Sequence, residues 1–244
     1  MGTPFFFDSR PTAGHASFFR MKLSSASPKG LILLALAVAC LIPAMPVAAE
    51  TPALSRAQAL AALRKSEPEE RRRGALGLAM AGRMDDAPAL IAALRDPDEP
   101  VRAIAEQALW AVWSRSGNAR VDDLFKRGVA QMSEKRFPEA IATFTRIIEL
   151  KPDFAEGWNK RATAYYLAGD YRHSLADCDE VMKRNPQHFG ALSGYGQIYF
   201  QLEQLEKALA YWRRALEVNP NMPGVEQNVE AVEELLREKK GRST

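Results

Sequence analysis

The side chains best suited to nucleophilic or metal chemistry are few and far apart in this chain of 244 residues. Its two cysteines are Cys40 and Cys178, and two of its three histidines, His173 and His188, lie 15 positions apart with no Cys or second His beside them. Zinc sites draw on closely spaced Cys and His pairs. A glycine-rich phosphate loop and a nucleophile elbow are also missing from the sequence. We therefore predict a protein without metal, cofactor or catalytic activity, in which Cys178 is a small buried apolar residue.

The composition indicates a folded chain with no electrostatic preference for nucleic acid. Hydrophobic residues make up 47% of the sequence and charged residues 26%, which is ordinary for a globular protein. The net charge of +3 comes from residues 1–49, which hold four basic side chains and one acidic side chain. From Glu50 onward, 29 basic residues balance 29 acidic residues. Because nucleic-acid binders carry a basic excess on the folded part, we predict no nucleic-acid partner.

The stretch MKLSSASPKGLILLALAVACLIPAMPVAAE, which begins at Met21, has the order of a secretory signal peptide. Lysines precede an apolar run, and Val47 and Ala49 are the small residues expected before a cleavage point. Residues 1–49 are therefore predicted to be an N-terminal extension and signal peptide, with Met21 as the true start. The predicted product is exported and periplasmic.

Alternatives for this apolar stretch stay open. Leu31 to Ala49 covers 19 residues, which is barely long enough to cross a bilayer, so a retained membrane anchor is one alternative. Pro43 and Pro46 favour cleavage, because they interrupt a helix in the region where cleavage is expected. A lipid on Cys40 is another alternative. A secreted product is also compatible with the signal, and we expect contact with a membrane only through this segment if it is uncleaved.

Three prolines mark an internal repeat. Pro152, Pro186 and Pro220 follow one another at intervals of 34 residues, and other residue types recur in the same register. When units are counted from 121, 155 and 189, position 8 is small, position 20 is Ala or Ser, and position 24 is Cys or aromatic. Small residues let paired helices approach closely, and large residues fill the remaining space. These positions hold Gly128, Ala162 and Gly196; Ala140, Ser174 and Ala208; and Phe144, Cys178 and Trp212.

The stretch EGWNKRATAYY carries the first half of this spacing, with Trp158, Ala162 and Tyr165 at positions 4, 8 and 11 of the second unit. The whole pattern resembles the tetratricopeptide repeat (TPR) family, whose 34-residue unit is a helix-turn-helix. The resemblance implies that Trp158, Ala162 and Tyr165 belong to the core, and that each proline ends the second helix of its unit. It places three units across residues 121–220, namely 121–154, 155–188 and 189–222.

Residues 53–118 contain two further Ala/Leu-rich hairpins. Leu63 and Leu94 occupy matching positions 31 residues apart, and each hairpin has an acidic, proline-containing turn. This segment resembles the short HEAT-like repeats of bacterial helical arrays. Two such hairpins bury too little surface to stand alone, so we expect them to stack on the first TPR unit.

The C-terminal residues 223–240 predict a helix that caps the stack. Val225, Val229, Val232 and Leu236 recur at helical spacing, with charged residues between them. Residues 241–244 are predicted to be a solvated tail. The predicted fold is all-α, a right-handed α-solenoid of stacked antiparallel helix pairs made of two HEAT-like hairpins, three TPR units and the capping helix.

The resemblance also implies a binding surface. In TPR proteins a concave groove is lined by the first helix of each unit, and apolar and amide side chains there can hold an extended peptide. An alternative is that the terminal members of this set pack on the flanking segments. The predicted groove residues are Phe125, Val129, Met132, Asn159, Thr163, Tyr166, Gln197 and Phe200.

A non-catalytic protein-interaction module or scaffold of the bacterial cell envelope is the function that the sequence favours, with a protein or peptide as partner. A lyase-like or enzyme-accessory repeat protein and a membrane-tethered structural scaffold are the alternatives, and the oligomeric state is open. The carboxylate clamp of chaperone-tail binders is not predicted. Of the positions that carry its cations in that subfamily, only Lys160 is basic here.

Overall fold

The computed structural model describes residues 53–241, which contain eleven α-helices, one short 3-10 turn and no strand. The predicted all-α fold is thereby confirmed for this part of the chain. The predictions for residues 1–49 and 242–244 concern segments outside the described residues. The helices are α1 (Arg56–Ala62), α2 (Pro68–Ala81), α3 (Ala87–Ala93), α4 (Glu99–Trp113), α5 (Ala119–Ser133), α6 (Phe137–Leu150), α7 (Ala155–Leu167), α8 (Tyr171–Arg184), α9 (Phe189–Gln201), α10 (Leu205–Val218) and α11 (Pro223–Gly241).

Helices α5 to α10 form three antiparallel pairs in the predicted register. Helices α6, α8 and α10 each end two residues before the repeat proline, as predicted. The turn inside each pair also repeats, because its fifteenth position has a positive φ in all three units. Gly169 takes this conformation at φ 80° without steric cost, whereas Lys135 and Glu203 take it at 60° and 57°. The repeat therefore extends to the backbone of the turn.

Small residues at position 8 allow the two helices of a unit to touch. A Cβ on Gly128 would lie 2.6 Å from the ring of Phe144, and a Cβ on Gly196 would lie even closer to the ring of Trp212. The second unit pairs Ala162 with Cys178 in one buried cluster, and burial raises the pKa of the Cys178 thiol. The interpretation of Cys178 as a small buried apolar residue is confirmed.

The last helix closes the stack as the sequence predicts. Val225 and Val232 of α11 are buried against the cluster that contains Trp212, and Val229 and Leu236 are partly buried beside them. The opposite surface of α11 is charged and exposed. No helix among the described residues is both long enough and apolar enough to cross a membrane.

Helices α1 to α4 form two hairpins with a common core. Leu78, Leu90 and Leu109 have no exposed surface within it. Ion pairs join the hairpins at their turns, where Arg71 lies 2.7 Å from Asp96. Arg72 makes a similar contact with Asp98 at 2.6 Å. This N-terminal segment therefore packs as one layer, held at its polar edge by paired charges.

Candidate functional site: the inner face of the repeats

The inner face of the repeats is formed by α5, α7 and α9, and helix α4 contacts it at the beginnings of α7 and α9. Near the start of α4, Nε of Arg102 donates to Oδ1 of Asn221 at 3.0 Å, and Nδ2 of Asn221 donates to the carbonyl oxygen of Leu94 at 2.7 Å. Just before α4, Arg95 donates to the carbonyl oxygen of Val218 at 3.2 Å. These contacts join the N-terminal segment to the end of the third unit, whereas the expected neighbour of this segment is the first unit.

Farther along α4, two tryptophans cover the inner face at the start of α9. The ring of Trp113 stacks on His188 with a centroid distance of 4.4 Å and lies 5.0 Å from the ring of Phe189. Trp110 meets the same two rings edge-on at 5.6 and 5.2 Å. Glycine is required at Gly190, because a Cβ there would lie 2.5 Å from Trp110. The aromatic cluster therefore closes this part of the inner face.

Four polar side chains next to this cluster are almost completely buried, at 4% exposed or less. Oε2 of Glu156 accepts a hydrogen bond from Nε2 of His188 at 2.9 Å and another from Nδ2 of Asn159 at 3.0 Å. Nζ of Lys160 lies 3.3 Å from Oε1 of the same carboxylate. Nδ1 of His188 accepts from the main-chain N–H of Ala191, so its Nε2 carries the proton that faces Glu156.

The charges of this buried cluster compensate one another. Burial by itself raises the pKa of Glu156, but Lys160, His188 and Asn159 outweigh that effect, and the pKa lies below its usual range. The carboxylate is therefore ionised at neutral pH. Lys160 also lies 5.7 Å from the centroid of the Trp110 ring. The one cation at a clamp position is thus committed to an internal ion pair. We call Glu156, Asn159, Lys160 and His188, together with Trp110 and Trp113, the covered half of the inner face.

The structure corrects two of the predicted groove residues. Asn159 has no exposed surface, and Thr163 is 2% exposed, with its hydroxyl donating to the carbonyl oxygen of Asn159 at 2.9 Å. Neither side chain faces an open groove, because the chain itself covers this part of the inner face. Oδ1 of Asn159 is buried and has no hydrogen-bond partner among the described residues.

Tyr165 and Tyr166 exchange the roles that the register predicts for them. Tyr166, predicted for the groove, is only 7% exposed, and burial raises its pKa while hydrogen bonds to Gln197 and Gln201 partly oppose that shift. Tyr165, predicted for the core, is half-buried and stacks on His173 at 5.1 Å. Trp158 is also half-buried, so Ala162 alone of the three predicted core residues is fully enclosed.

The predicted groove residues of the first unit occupy the inner face but also pack internally. Phe125 is half-buried, and its ring lies 6.0 Å from Phe144 and 5.8 Å from Phe154. Val129 and Met132 are half-buried beside the same cluster. Their use by a partner stays a prediction.

Apolar side chains remain exposed near the C-terminal ends of α7 and α9 and on the capping helix α11. Four large apolar side chains there are 36–46% exposed. They occupy positions 12 to 14 of 34-residue units counted from 155, 189 and 223. We call these residues the apolar stripe: Leu167, Phe200, Leu202 and Leu235. Gln197, one turn before Phe200, is half-buried and contacts Tyr166.

Sequence reasoning missed the covering helix and the histidine that it meets. Trp110 and Trp113 lie three residues apart, so they belong to one face of α4. Two large aromatic rings on one helix face were the available signal that this face packs on a further surface. His188 carried no local signal, because its partner Glu156 is 32 positions away.

The stacked helix pairs and their partly filled inner face define a helical-repeat protein. A family model described as tetratricopeptide repeat matches residues 191–222. A TPR repeat-containing protein of Rhizobium etli is 36% identical over 142 residues, which cover 58% of this chain and 69% of that relative. The chain therefore belongs to the tetratricopeptide-repeat family.

More distant relatives match about half of this chain. Hsp70-Hsp90 organizing protein 1 of Glycine max is 24% identical over 120 residues, and the match covers 48% of this chain but only 21% of that protein. The Sgt2 TPR domain of Aspergillus fumigatus is 21% identical, with a TM-score of 0.48, over 50% of this chain and 83% of that domain. The chain thus spans about a fifth of the length of the soybean relative.

Proposed function

We propose that the protein is a non-catalytic interaction module of the bacterial cell envelope, which binds a segment of another protein along the apolar stripe. The exposed apolar side chains of that stripe, which lie in the second unit, the third unit and the capping helix, are the observation that carries the proposal. Leu167 and Phe200 are already more than half buried, so covering the rest of each gains about 1 kcal/mol, and a partner that covers several such side chains gains affinity.

Polar groups beside the stripe suit a polypeptide partner. Gln197 and Gln201 lie next to the hydroxyl of Tyr166, so amide donors and acceptors flank the apolar side chains of α9. A segment laid across α7 and α9 would place side chains on Leu167 and Phe200 and exchange hydrogen bonds with these amides. The surface therefore combines apolar anchors with the amide groups that recognise a main chain.

The covered half narrows the choice of partner. Lys160 is paired with Glu156 inside the protein, so it is not offered to a terminal carboxylate. Relatives that are named organizing proteins of Hsp70 and Hsp90 support a protein partner in general. We infer that recognition here depends on apolar side chains and not on the clamp cations.

The envelope assignment depends on the signal-like stretch from Met21 to Ala49. Cleavage after Ala49 would release the repeats into the periplasm, while a retained apolar segment would tether them to the membrane. N-terminal sequencing of protein recovered from envelope fractions distinguishes these cases. A first residue of Glu50 supports the periplasmic proposal, and an intact apolar segment contradicts it.

Two matched substitutions test the apolar stripe. Leu167 on α7 is 42% exposed and Leu76 on α2 is 50% exposed, so Leu167→Glu and Leu76→Glu make the same chemical change on two different surfaces. We expect both variants to fold like the wild type by thermal melting. Affinity capture from envelope extracts should recover a partner with wild type and Leu76→Glu, and should lose it with Leu167→Glu.

The reverse pattern would contradict the proposal. If Leu76→Glu loses the partner and Leu167→Glu retains it, the interface lies on the N-terminal segment near Leu76, Met80 and Met84, which are also exposed. If neither substitution affects capture, neither apolar surface is the interface.

A further inference from the structure

Helix α2 packs on α4 with one face and exposes the opposite face. Ala75 and Leu78 on the packed face have no exposed surface, and Leu78 shares a core with Leu109 of α4. On the opposite face, Leu76 is 50% exposed and Met80 is 72% exposed. These two side chains lie four positions apart, so they are neighbours on the helix surface. We call the following residues the outer face of α2: Glu69, Arg73, Leu76 and Met80.

Helix α2 belongs to the first hairpin and therefore to one end of the helical stack. Terminal units of repeat arrays need polar outer surfaces for solubility. The capping helix α11 has such a surface, since its exposed side is charged. In the first TPR unit, Arg127 is exposed, and the side chain of Gln131 accepts a hydrogen bond from the hydroxyl of Thr143 at 2.7 Å. The outer face of α2 differs, because Leu76 and Met80 occupy its centre. We therefore expect a further element to cover it.

Leu76 is the midpoint between two opposite charges. Glu69 lies seven residues before it, and Arg83 lies seven residues after it, just beyond the end of α2. Seven residues of α-helix span about 10 Å. The Glu69 side chain is 75% exposed, and its partner Arg72 also pairs with Asp98. Two α2 helices that run in opposite directions, with Leu76 at the centre, would therefore bring Glu69 of each beside Arg83 of the other.

A second cation strengthens the basic end of α2. Arg115 donates to main-chain carbonyl oxygens in the last turn of the helix at 2.8 and 3.1 Å, which holds its guanidinium at that end. Asp85 is also exposed there. Because Arg83 and Arg115 outnumber Asp85, this end offers positive charge to Glu69 of another copy.

We propose that a second copy of this chain packs on the outer face of α2, with the two α2 helices antiparallel across a two-fold axis. Leu76 lies near the axis and meets Leu76 of the other copy, while Met80 packs beside it. Each Glu69 pairs with Arg83 of the other copy at the two edges of the contact. A two-fold contact of one surface with itself covers both apolar faces at once.

The proposed interface is small, because each copy contributes two large apolar side chains and the stem of Arg73. Interfaces of this size belong to weak, reversible complexes. We therefore expect monomer and dimer in equilibrium, with the dimer favoured as the protein concentration rises. The outer face of α2 shares no residue with the apolar stripe, so the dimer and the partner proposed above use different surfaces.

Sedimentation velocity of protein purified after export tests the dimer. Over an about hundredfold range of concentration, the wild type should change from the monomer toward the dimer. Leu76→Glu should stay monomeric, because two carboxylates would meet near the axis. Leu167→Glu makes the same change on the apolar stripe and should dimerise like the wild type. The two variants thus show the opposite pattern to the one expected for capture of the partner.

Charge reversal tests the antiparallel arrangement. Glu69→Arg and Arg83→Glu each replace two attractive pairs in the dimer by repulsive ones, and each should weaken association at least about fivefold. The double variant restores opposite charges across the interface, so its affinity should lie within about twofold of wild type. Both positions are exposed, so we expect all three variants to keep the wild-type melting temperature. A double variant as weak as the single variants would overturn the antiparallel dimer.

A disulfide locates the axis. With Cys40 replaced by Ser, the one remaining native cysteine is Cys178, which has no exposed surface. Leu76→Cys should then form a cross-linked dimer on mild oxidation, because the two sulfur atoms meet near the axis. Leu167→Cys, at a similarly exposed position, should remain uncross-linked.

A wild type that stays monomeric over the whole range would overturn the proposal, and the outer face of α2 would then belong to a different partner. Dimers that persist in Leu76→Glu, or that cross-link through Leu167→Cys and not through Leu76→Cys, would place the contact elsewhere and overturn it as well. None of these outcomes depends on capture of a partner by the apolar stripe.

Discussion

The inner face of the repeats has two halves that share helices α7 and α9 but differ in what covers them. In the covered half, Glu156 and Lys160 are buried against α4 with their charges paired. In the open half, Leu167 and Phe200 are exposed near the ends of the same helices. Polar residues are thus inside and apolar residues outside, which is the reverse of the usual order. The difference shows that a helix from the same chain has taken one half of the surface and left the other for a partner.

The largest expected effect is a difference in unfolding free energy between substitutions in the covered half and in the open half. Trp113→Ala should lower the free energy of unfolding by about 3–5 kcal/mol, because it removes a buried ring that contacts His188 and Phe189. Phe200→Ala should cost only about 1 kcal/mol, since that ring is 36% exposed. Urea denaturation of both variants measures the difference. Equal losses of unfolding free energy in the two variants would mean that the packing of α4 on the inner face does not stabilise the fold.

A smaller effect is expected from the charge pair in the covered half. Glu156→Gln should lower the free energy of unfolding by about 3 kcal/mol at pH 7, because Lys160 would remain buried without its counter-ion. The matched variant Glu180→Gln removes a more exposed carboxylate that pairs with Arg184 at 2.6 Å, and it should cost less than about 1 kcal/mol. Similar losses in the two variants would contradict the assignment of Glu156 to a desolvated site.

The pH dependence of unfolding sharpens the same comparison. The pKa of Glu156 is lower in the folded state than in the unfolded chain, where it is about 4.3. Its contribution to stability is therefore fully present above that pH and is lost as the pH falls through the lower, folded-state pKa. Melts from pH 7 to pH 3 should show the wild type and Glu156→Gln converging at the acidic end. A constant gap between them would argue against an ionised Glu156.

The smallest change in the free energy of unfolding is expected from substitution of Glu106, and its sign is opposite to that of the other substitutions. Burial raises the pKa of this half-buried residue, and the only groups that oppose the shift are the side chains of Asn219 and Trp110. Its ionised form is thus less favourable in the folded state than in the unfolded chain, and the cost appears as the pH rises through the unfolded-state pKa. Glu106→Gln should melt at the wild-type temperature or slightly above it at pH 7. A marked loss of stability would show that the Glu106 charge is needed for docking α4.

Local patterns were sufficient to predict most of the fold. The proline interval of 34 residues predicted where α6, α8 and α10 end, because proline restricts the residue before it wherever it occurs. Gly128 and Gly196 predicted close helix contacts, because a side chain at either position would overlap an aromatic ring. The proline restriction and the close helix contacts both act within one repeat unit, so the sequence of a single unit is enough to predict them.

The candidate site was predicted less well. The family register placed Phe200 and Gln197 near the open half, yet it also placed Asn159 and Thr163 in a groove that the chain itself covers. The family register predicts how the side chains of one repeat unit pack against the units before and after it. It contains no information about a helix that arrives from about 50 residues away in sequence.

The sequence by itself determined the repeat, its helix pairs, the capping helix and the neutral charge of the chain after Glu50, because each depends on residue types at short and regular spacing. Only the tertiary structure decided that α4 crosses the inner face, that His188 meets Glu156 across 32 residues, and that the amide of Asn185 is left without an acceptor. Contacts of this kind are set by how whole layers pack. The free energy of packing depends on the fit of two surfaces, and no local spacing encodes that fit.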